Sequence, residues 1–188
     1  MGKKIRIAKR VISLLLGLSL YSCYTPPPHV KAGDLIISKF VTQSRREHNL
    51  FLLGSGGAFL DDLKEFDFLL SSYDKIDIDE ARRLIIERSH SLLDLINSDE
   101  NVQPYLNKTP FDYKDIQVII IFVEREEPTL FVSPPFVAGV YFAHGMVRYV
   151  YYDPCTEKLE TLQSEPYQRA IGILEHQRDV ANLPPELR

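Results

Sequence analysis

The chain has 188 residues, 22 of them basic and 26 acidic, with 45% hydrophobic residues and two cysteines. That length suits one domain with a proper core, and two cysteines exclude a disulfide-built scaffold. The acidic balance deepens once the basic N-terminus is set apart, so nucleic acid is excluded from the expected partners.

Lys3, Lys4, Arg6, Lys9 and Arg10 stand in the first ten residues with no acidic residue among them, and an apolar run follows at residues 11–20. A basic head before a short greasy core is the pattern of a secretory signal. The run is too short to cross a bilayer, which takes about 20 apolar residues. Leu20-Tyr21-Ser22-Cys23 then resembles the bacterial lipobox, in which a small residue precedes a cysteine just past the apolar run. Tyr21 departs from the small or β-branched residue usual there. The resemblance implies cleavage before Cys23 and multiple acylation of that cysteine. The product is an exported lipoprotein held on a bacterial membrane, at the periplasmic face or the cell surface. One acyl chain binds marginally and several hold firmly, each buried methylene contributing about 0.8 kcal/mol. An ordinary cleaved signal and an uncleaved anchor are the competing readings. Loss of residues 1–22 removes five basic residues and no acidic one, leaving 17 against 26 and a net charge of −9. Such a body is repelled by anionic lipid, which leaves the acyl chains as its attachment.

Residues 24–31 contain three consecutive prolines and no apolar periodicity, the composition of an extended spacer. A helix is expected over residues 34–53. Gly54, Ser55, Gly56 and Gly57 break it and read as a connector. A phosphate cradle at that point would carry a lysine, and the loop has none, with Asp61 and Asp62 close behind. Residues 64–73 alternate as a strand does. Asp77 and Glu80 form a capping box for the helix that follows, a better account of Asp74, Asp77 and Asp79 than a calcium loop, which needs a central glycine and a twelfth-position glutamate. Ala81, Leu84, Ile85, Leu92 and Ile96 make the helix's apolar stripe.

Residues 116–123, eight with one polar member, predict a central strand covered on both faces or nearly so. His144-Gly145 predicts a tight hairpin in which Ala143 faces Met146, Tyr141 faces Arg148 and Val140 faces Tyr149, with Tyr151 on the core side. Residues 158–162 add a short edge strand. Ser164 caps a last helix with Pro166 in its first turn and Tyr167, Ala170, Ile171 and Leu174 buried. The expected fold is α+β, a mainly antiparallel sheet of four to five strands with two or three helices packed on it. The expected organisation is signal peptide 1–22, lipidated cysteine and linker 23–32, one globular domain 33–180 and an exposed tail 181–188.

Glu80-Ala81-Arg82-Arg83-Leu84, Ile96-Asn97, Gln103-Pro104-Tyr105-Leu106, Pro110-Phe111, the Gly145 hairpin with Tyr149 and Tyr152, and Glu165-Pro166-Tyr167 resemble small secreted bacterial proteins without assigned activity. The resemblance implies a shared α+β fold and no reaction.

The five histidines have no zinc-ligand spacing, and Cys155 sits in a predicted turn with no histidine beside it. No nucleophile elbow or kinase set appears, and no cofactor is implied. Tyr149, Tyr151 and Tyr152 crowd one strand, either as core and rim or as a binding face. The leading expectation is a noncatalytic, membrane-anchored envelope lipoprotein that contacts a protein partner or organises the envelope. The alternative is a small secreted ligand binder or hydrolase using the glycine-rich stretch 54–57 with Asp61 and Asp62. A Cys23→Ser chain is expected to carry no acyl mass and to retain its signal segment by intact mass. Trimming like the parent's would remove the anchor from the account.

Overall fold

The computed structural model describes residues 25–181; the expected signal segment 1–22, Cys23 and Tyr24, and residues 182–188 lie outside them. The elements run α1 (Pro28–His48), β1 (Phe51–Gly57), β2 (Phe66–Ser72), α2 (Ile78–Ser98), a 3-10 turn (Gln103–Tyr105), β3 (Ile116–Phe122), β4 (Gly139–Ala143), β5 (Met146–Asp153), β6 (Lys158–Pro166) and α3 (Tyr167–Ala181). The class is α+β. One sheet holds all six strands in sequence order. Every neighbouring pair is antiparallel except β2 and β3, which run parallel.

The expected sheet of four to five antiparallel strands is corrected in two respects. The sixth strand is β1: Gly54, Ser55, Gly56 and Gly57 are extended and paired with β2, where a connector was expected. Glycine loses entropy in a strand but meets no steric bar there, so pairing with β2 overrides its breaker tendency. The parallel pair follows from α2, because parallel strands need a crossover of a dozen or more residues and that helix is one.

Helix α1 also begins and ends earlier than expected. Pro28 opens it, inside the stretch read as an extended spacer, because proline's fixed φ suits the first helical position. Asn49 ends it at φ 54°, its N–H donating to the Ser44 carbonyl. Strand β6 runs on to Pro166, so Ser164 pairs with Arg148 in the sheet instead of capping α3. The hairpin register is as predicted, with Val140 on Tyr149, Tyr141 on Arg148 and Ala143 on Met146. Tyr151 is not in the core; its hydroxyl reaches Glu160 at 2.6 Å on an exposed surface. Asp77 caps α2, accepting from Asp79 N and Glu80 N at 2.9 Å each, and Glu80 completes the box.

The core lies on one face of the sheet. Phe66, Phe68 and Leu70 of β2, Val118 and Ile120 of β3, Val140 and Phe142 of β4, and Val147 and Tyr149 of β5 all point there. They meet Ile36 and Phe40 of α1, Ile85, Leu92 and Ile96 of α2, and Tyr167 and Ala170 of α3. Phe40 packs against Phe68 at 4.5 Å between ring centroids, and Tyr167 against Phe142 at 4.6 Å, so α1 and α3 cover the same side. Strand β3 is third of six but is not covered on both faces, as its unbroken apolar run had suggested. Its residues alternate buried and half-buried, with Gln117, Ile119 and Ile121 turned away from the helices.

One polar cluster is sealed into this core. Arg82 of α2 donates through Nε to Glu165 Oε1 at 2.7 Å, and the Tyr149 hydroxyl donates to the same oxygen at 2.7 Å. The two charged side chains are 5% and 1% exposed. Arg82 also pairs with Asp79, one residue into α2. Burial first, then the Glu165 carboxylate, raises the Tyr149 hydroxyl far above its ordinary pKa, so it acts as a fixed donor. Removing one partner of such a pair strands a buried charge. Glu165→Ala is therefore expected to lose about 3–5 kcal/mol in denaturant titration, while the double variant Arg82→Met/Glu165→Leu recovers most of it. Near-equal losses in single and double variants would contradict that account.

Candidate functional site

The face opposite the helices is built from side chains of the other parity. Cross-strand register aligns Gly54, Leu69, Ile119, Tyr141, Arg148 and Ser164 in one row. A second row aligns Ser71, Ile121, Gly139, Val150 and Thr161. At the β4–β5 side the chain covers this face itself. An added Cβ on Gly139 would lie 3.2 Å from Tyr141 Cε2, so the tyrosine ring lies along the strand over that glycine. Val150 is buried beside it, and Phe131 stands 5.8 Å from Tyr152.

The β1–β2 side is bare. Gly54, Ser55 and Gly56 with Asp67, Leu69, Gln117 and Ile119 line a depression of about 360 Å³. An added Cβ on Gly54 or Gly56 would meet nothing within 4 Å. Asp67 Oδ1 is buried at the depression without a hydrogen-bond partner. The Gln117 amide is drawn to Glu65 Oε1 at 2.6 Å, next to Asp67 on the strand path. Burial holds the Asp67 carboxyl above the usual carboxylate range, Glu65 pushes the same way, and His144 opposes. The folded state keeps this proton to a higher pH than the unfolded chain does. Its contribution to stability is thus full below the unfolded pKa and is lost as pH rises through the raised folded value.

A second hollow, about 440 Å³, lies where α1 ends and α2 begins, lined by Arg46, Glu47, His48, Asn49, Asp74 and Arg83 among others. Within it Glu47 takes Arg46 at 2.9 Å and, from outside the lining, Arg88 at 3.2 Å. Burial, then Arg88, lowers the His48 pKa. That lining mixes both signs of charge, whereas the sheet depression holds a buried carboxylate oxygen without a partner, so the depression is the better candidate.

The residues singled out from the sequence are brought together only in part. Gly54, Ser55 and Gly56 line the depression, but Gly57 does not; a Cβ there would strike the Glu65 carbonyl at 2.1 Å. Asp61 and Asp62 stay outside the lining, and Asp62 pairs with Lys64 at 3.2 Å. Cys155 is exposed in the β5–β6 turn, where Asp153 accepts from its N–H at 2.9 Å. Among the described residues no three histidine, cysteine, aspartate or glutamate side chains gather to hold a metal ion. Asp67, Leu69, Gln117 and Ile119 escaped the sequence reading. Their signal was the parity of the β3 run, where Gln117 shares a face with Ile119 and Ile121.

Comparison with protein-family models, with curated proteins and with solved structures found no match. The reading below rests on the residues.

Neither Gly54 nor Gly56 has a left-handed φ or a crowding neighbour to require glycine. Gly54→Ala and Gly56→Val are each expected to raise stability by about 0.5–1 kcal/mol in thermal melts, as glycine in a strand costs that much. Destabilisation by both would mean the space over them is not free.

Proposed function

We propose that the chain is an exported lipoprotein of the cell envelope, tethered by acyl chains on Cys23. Its domain contacts a protein partner through the helix-free face of the sheet and performs no catalysis. The observation that supports the docking role is that face: Leu69, at 36% exposure, and half-buried Ile119, Ile121 and Tyr141 form an apolar band that, among the described residues, no helix covers. Apolar surface left in contiguous patches marks interaction sites on soluble domains. The Cys23 tether is supported by the basic head, apolar run and lipobox-like Leu20-Tyr21-Ser22-Cys23. Among the described residues no helix is long and apolar enough to cross a membrane.

A second reading, a secreted binder of a small ligand, is favoured by the depression over Gly54 and Gly56. Its hydrolase form loses support because Asp61 and Asp62 do not line that hollow.

A photo-crosslinking residue at Ile119 of the full chain, in intact cells of the source, is expected to yield a discrete protein adduct. The same residue at exposed His176 of α3 is expected to yield none. Equal adducts from both, or none from Ile119, would count against docking through this face. Thermal shifts with nucleotides, sugars or metal ions that vanish in Gly56→Val would promote the second reading.

A further inference from the structure

The glycines on this sheet divide sharply. Gly57, Gly139 and Gly145 are fixed by the fold: a Cβ on Gly57 meets a carbonyl, Gly139 sits under the Tyr141 ring, and Gly145 turns the hairpin at φ +75°. Gly54 and Gly56 have no such reason. They are i and i+2 on one strand, so both bare Cα atoms face the same way, onto the depression. Strand β1 is also the first of the sheet order and, among the described residues, pairs only with β2. Its outer edge offers unpaired backbone donors and acceptors, the template on which an extended chain can add as a further strand.

An incoming strand beside β1 sends alternate side chains onto the open face, directly opposite Gly54 and Gly56. Any ordinary residue at those positions would block a long side chain from crossing toward β2; glycine lets it lie flat on the backbone. Tyr141 over Gly139 shows a side chain of this face lying flat over a bare glycine, there along one strand. Such a side chain would pass over β1 beside Leu69 and end at Asp67, which lies directly across from Gly56 and whose Oδ1 is buried without a partner. Glu65 and Asp67 repel each other there, and among the described residues the one cationic group acting on Asp67 is His144, with no lysine or arginine beside it. The missing charge is positive. A second copy of this chain would bring another acidic pair to the contact, so charge complementarity favours a different protein.

We propose that the β1 edge captures an extended segment of a partner protein, adding it as a seventh strand. A lysine or arginine of that segment crosses Gly54 and Gly56 to reach Asp67. The opposite edge is a poorer template, since β6 carries side chains at every position and a bulge at Leu162. This inference rests on the docking role proposed above and names its partner's chemistry.

The test uses the full chain in detergent and the acetylated, amidated peptide Thr-Val-Thr-Lys-Thr-Val-Thr, with norleucine or glutamate in place of lysine as controls. Amide shifts of Gly54 and Gly56 and methyl shifts of Leu69 and Ile119 report binding. The lysine peptide is expected to saturate these shifts, to bind about fivefold more tightly than the norleucine peptide, and to outbind the glutamate peptide further. Asp67→Asn is expected to erase the preference for lysine. Gly56→Val is expected to abolish all binding while its melting temperature stays at or above the parent's. Equal affinity for lysine and norleucine overturns the inference, as do shifts centred on β6 or an absence of saturable shifts. Shifts that depend on protein concentration and not on peptide assign the edge to self-association and overturn it too. If the peptides fail while Ile119 still yields its adduct in cells, the docking role stands and only this inference falls.

Discussion

Six strands present two faces to water, and the described residues bring helices to only one of them. The apolar stripes of α1, α2 and α3 all meet the parity that carries Phe66, Phe68, Ile120, Phe142 and Tyr149. That face is dry. The other must be managed with what the strands themselves carry. Where it is managed, the device is local: Tyr141 lies over Gly139, Val150 sinks beside it, and Phe131 stands against Tyr152. Toward β1 no such device exists, and apolar Leu69 and Ile119 sit beside two glycines and a carboxylate lacking a partner. The candidate site is therefore the uncovered remainder of a one-sided sheet, not a pocket added to a finished fold.

The buried cluster at Arg82 acts on position. A well-packed apolar pair of the same volume serves stability as well or better, since the desolvation of two charges offsets most of their attraction. What the cluster does is tie three elements through one oxygen. Glu165 Oε1 takes Arg82 from α2 and Tyr149 from β5 while belonging to β6. Gln163 holds the other oxygen at 3.2 Å. The first turn of α2 is thus pinned over the β5–β6 pair, and its capping box at Asp77 fixes where that turn begins. With α2 fixed at that end, its far end reaches Asn97, which exchanges hydrogen bonds with Phe111 at 2.9 and 2.8 Å and anchors the approach to β3. The crossover that makes β2 and β3 parallel is held at both ends.

Much of this was legible in the sequence, and the misses share a cause. The capping box, the α2 stripe and the hairpin register were visible because each depends on residues a few positions apart. Glycine has a local tendency too, to break elements, and in Gly54 to Gly57 that tendency was overruled by a partner strand about 15 residues on. In β3 the run of isoleucines concealed an alternation: one parity is buried in the core and the other is not, and hydrophobicity alone cannot separate them. The depression was invisible for the same reason. Asp67, Gln117 and Gly56 are distant in sequence, and only cross-strand register brings them side by side. Likewise Arg82 and Glu165, 83 residues apart, carry no local sign of their pairing.

The place where α1 begins bears on what can reach the β1 edge. His29, at the second position of α1, lies 3.0 Å from the Phe59 carbonyl through Nε2, and Phe59 also packs against Gly33 and Gly57. The start of α1 is therefore fastened at the glycine end of β1. Under the proposed anchoring, the chain between Cys23 and Pro28 can span at most about 3.6 Å per residue, roughly 18 Å in all. The docking edge must then lie close to the membrane surface, and a segment that adds to it must approach along that surface. A juxtamembrane stretch bearing lysine or arginine meets this geometry, because its charges are drawn to the same lipid surface that repels the acidic domain. Under that anchoring a short tether would keep the edge in the layer where such a segment is concentrated, so even a weak strand addition would be occupied there when it would be empty in bulk solution.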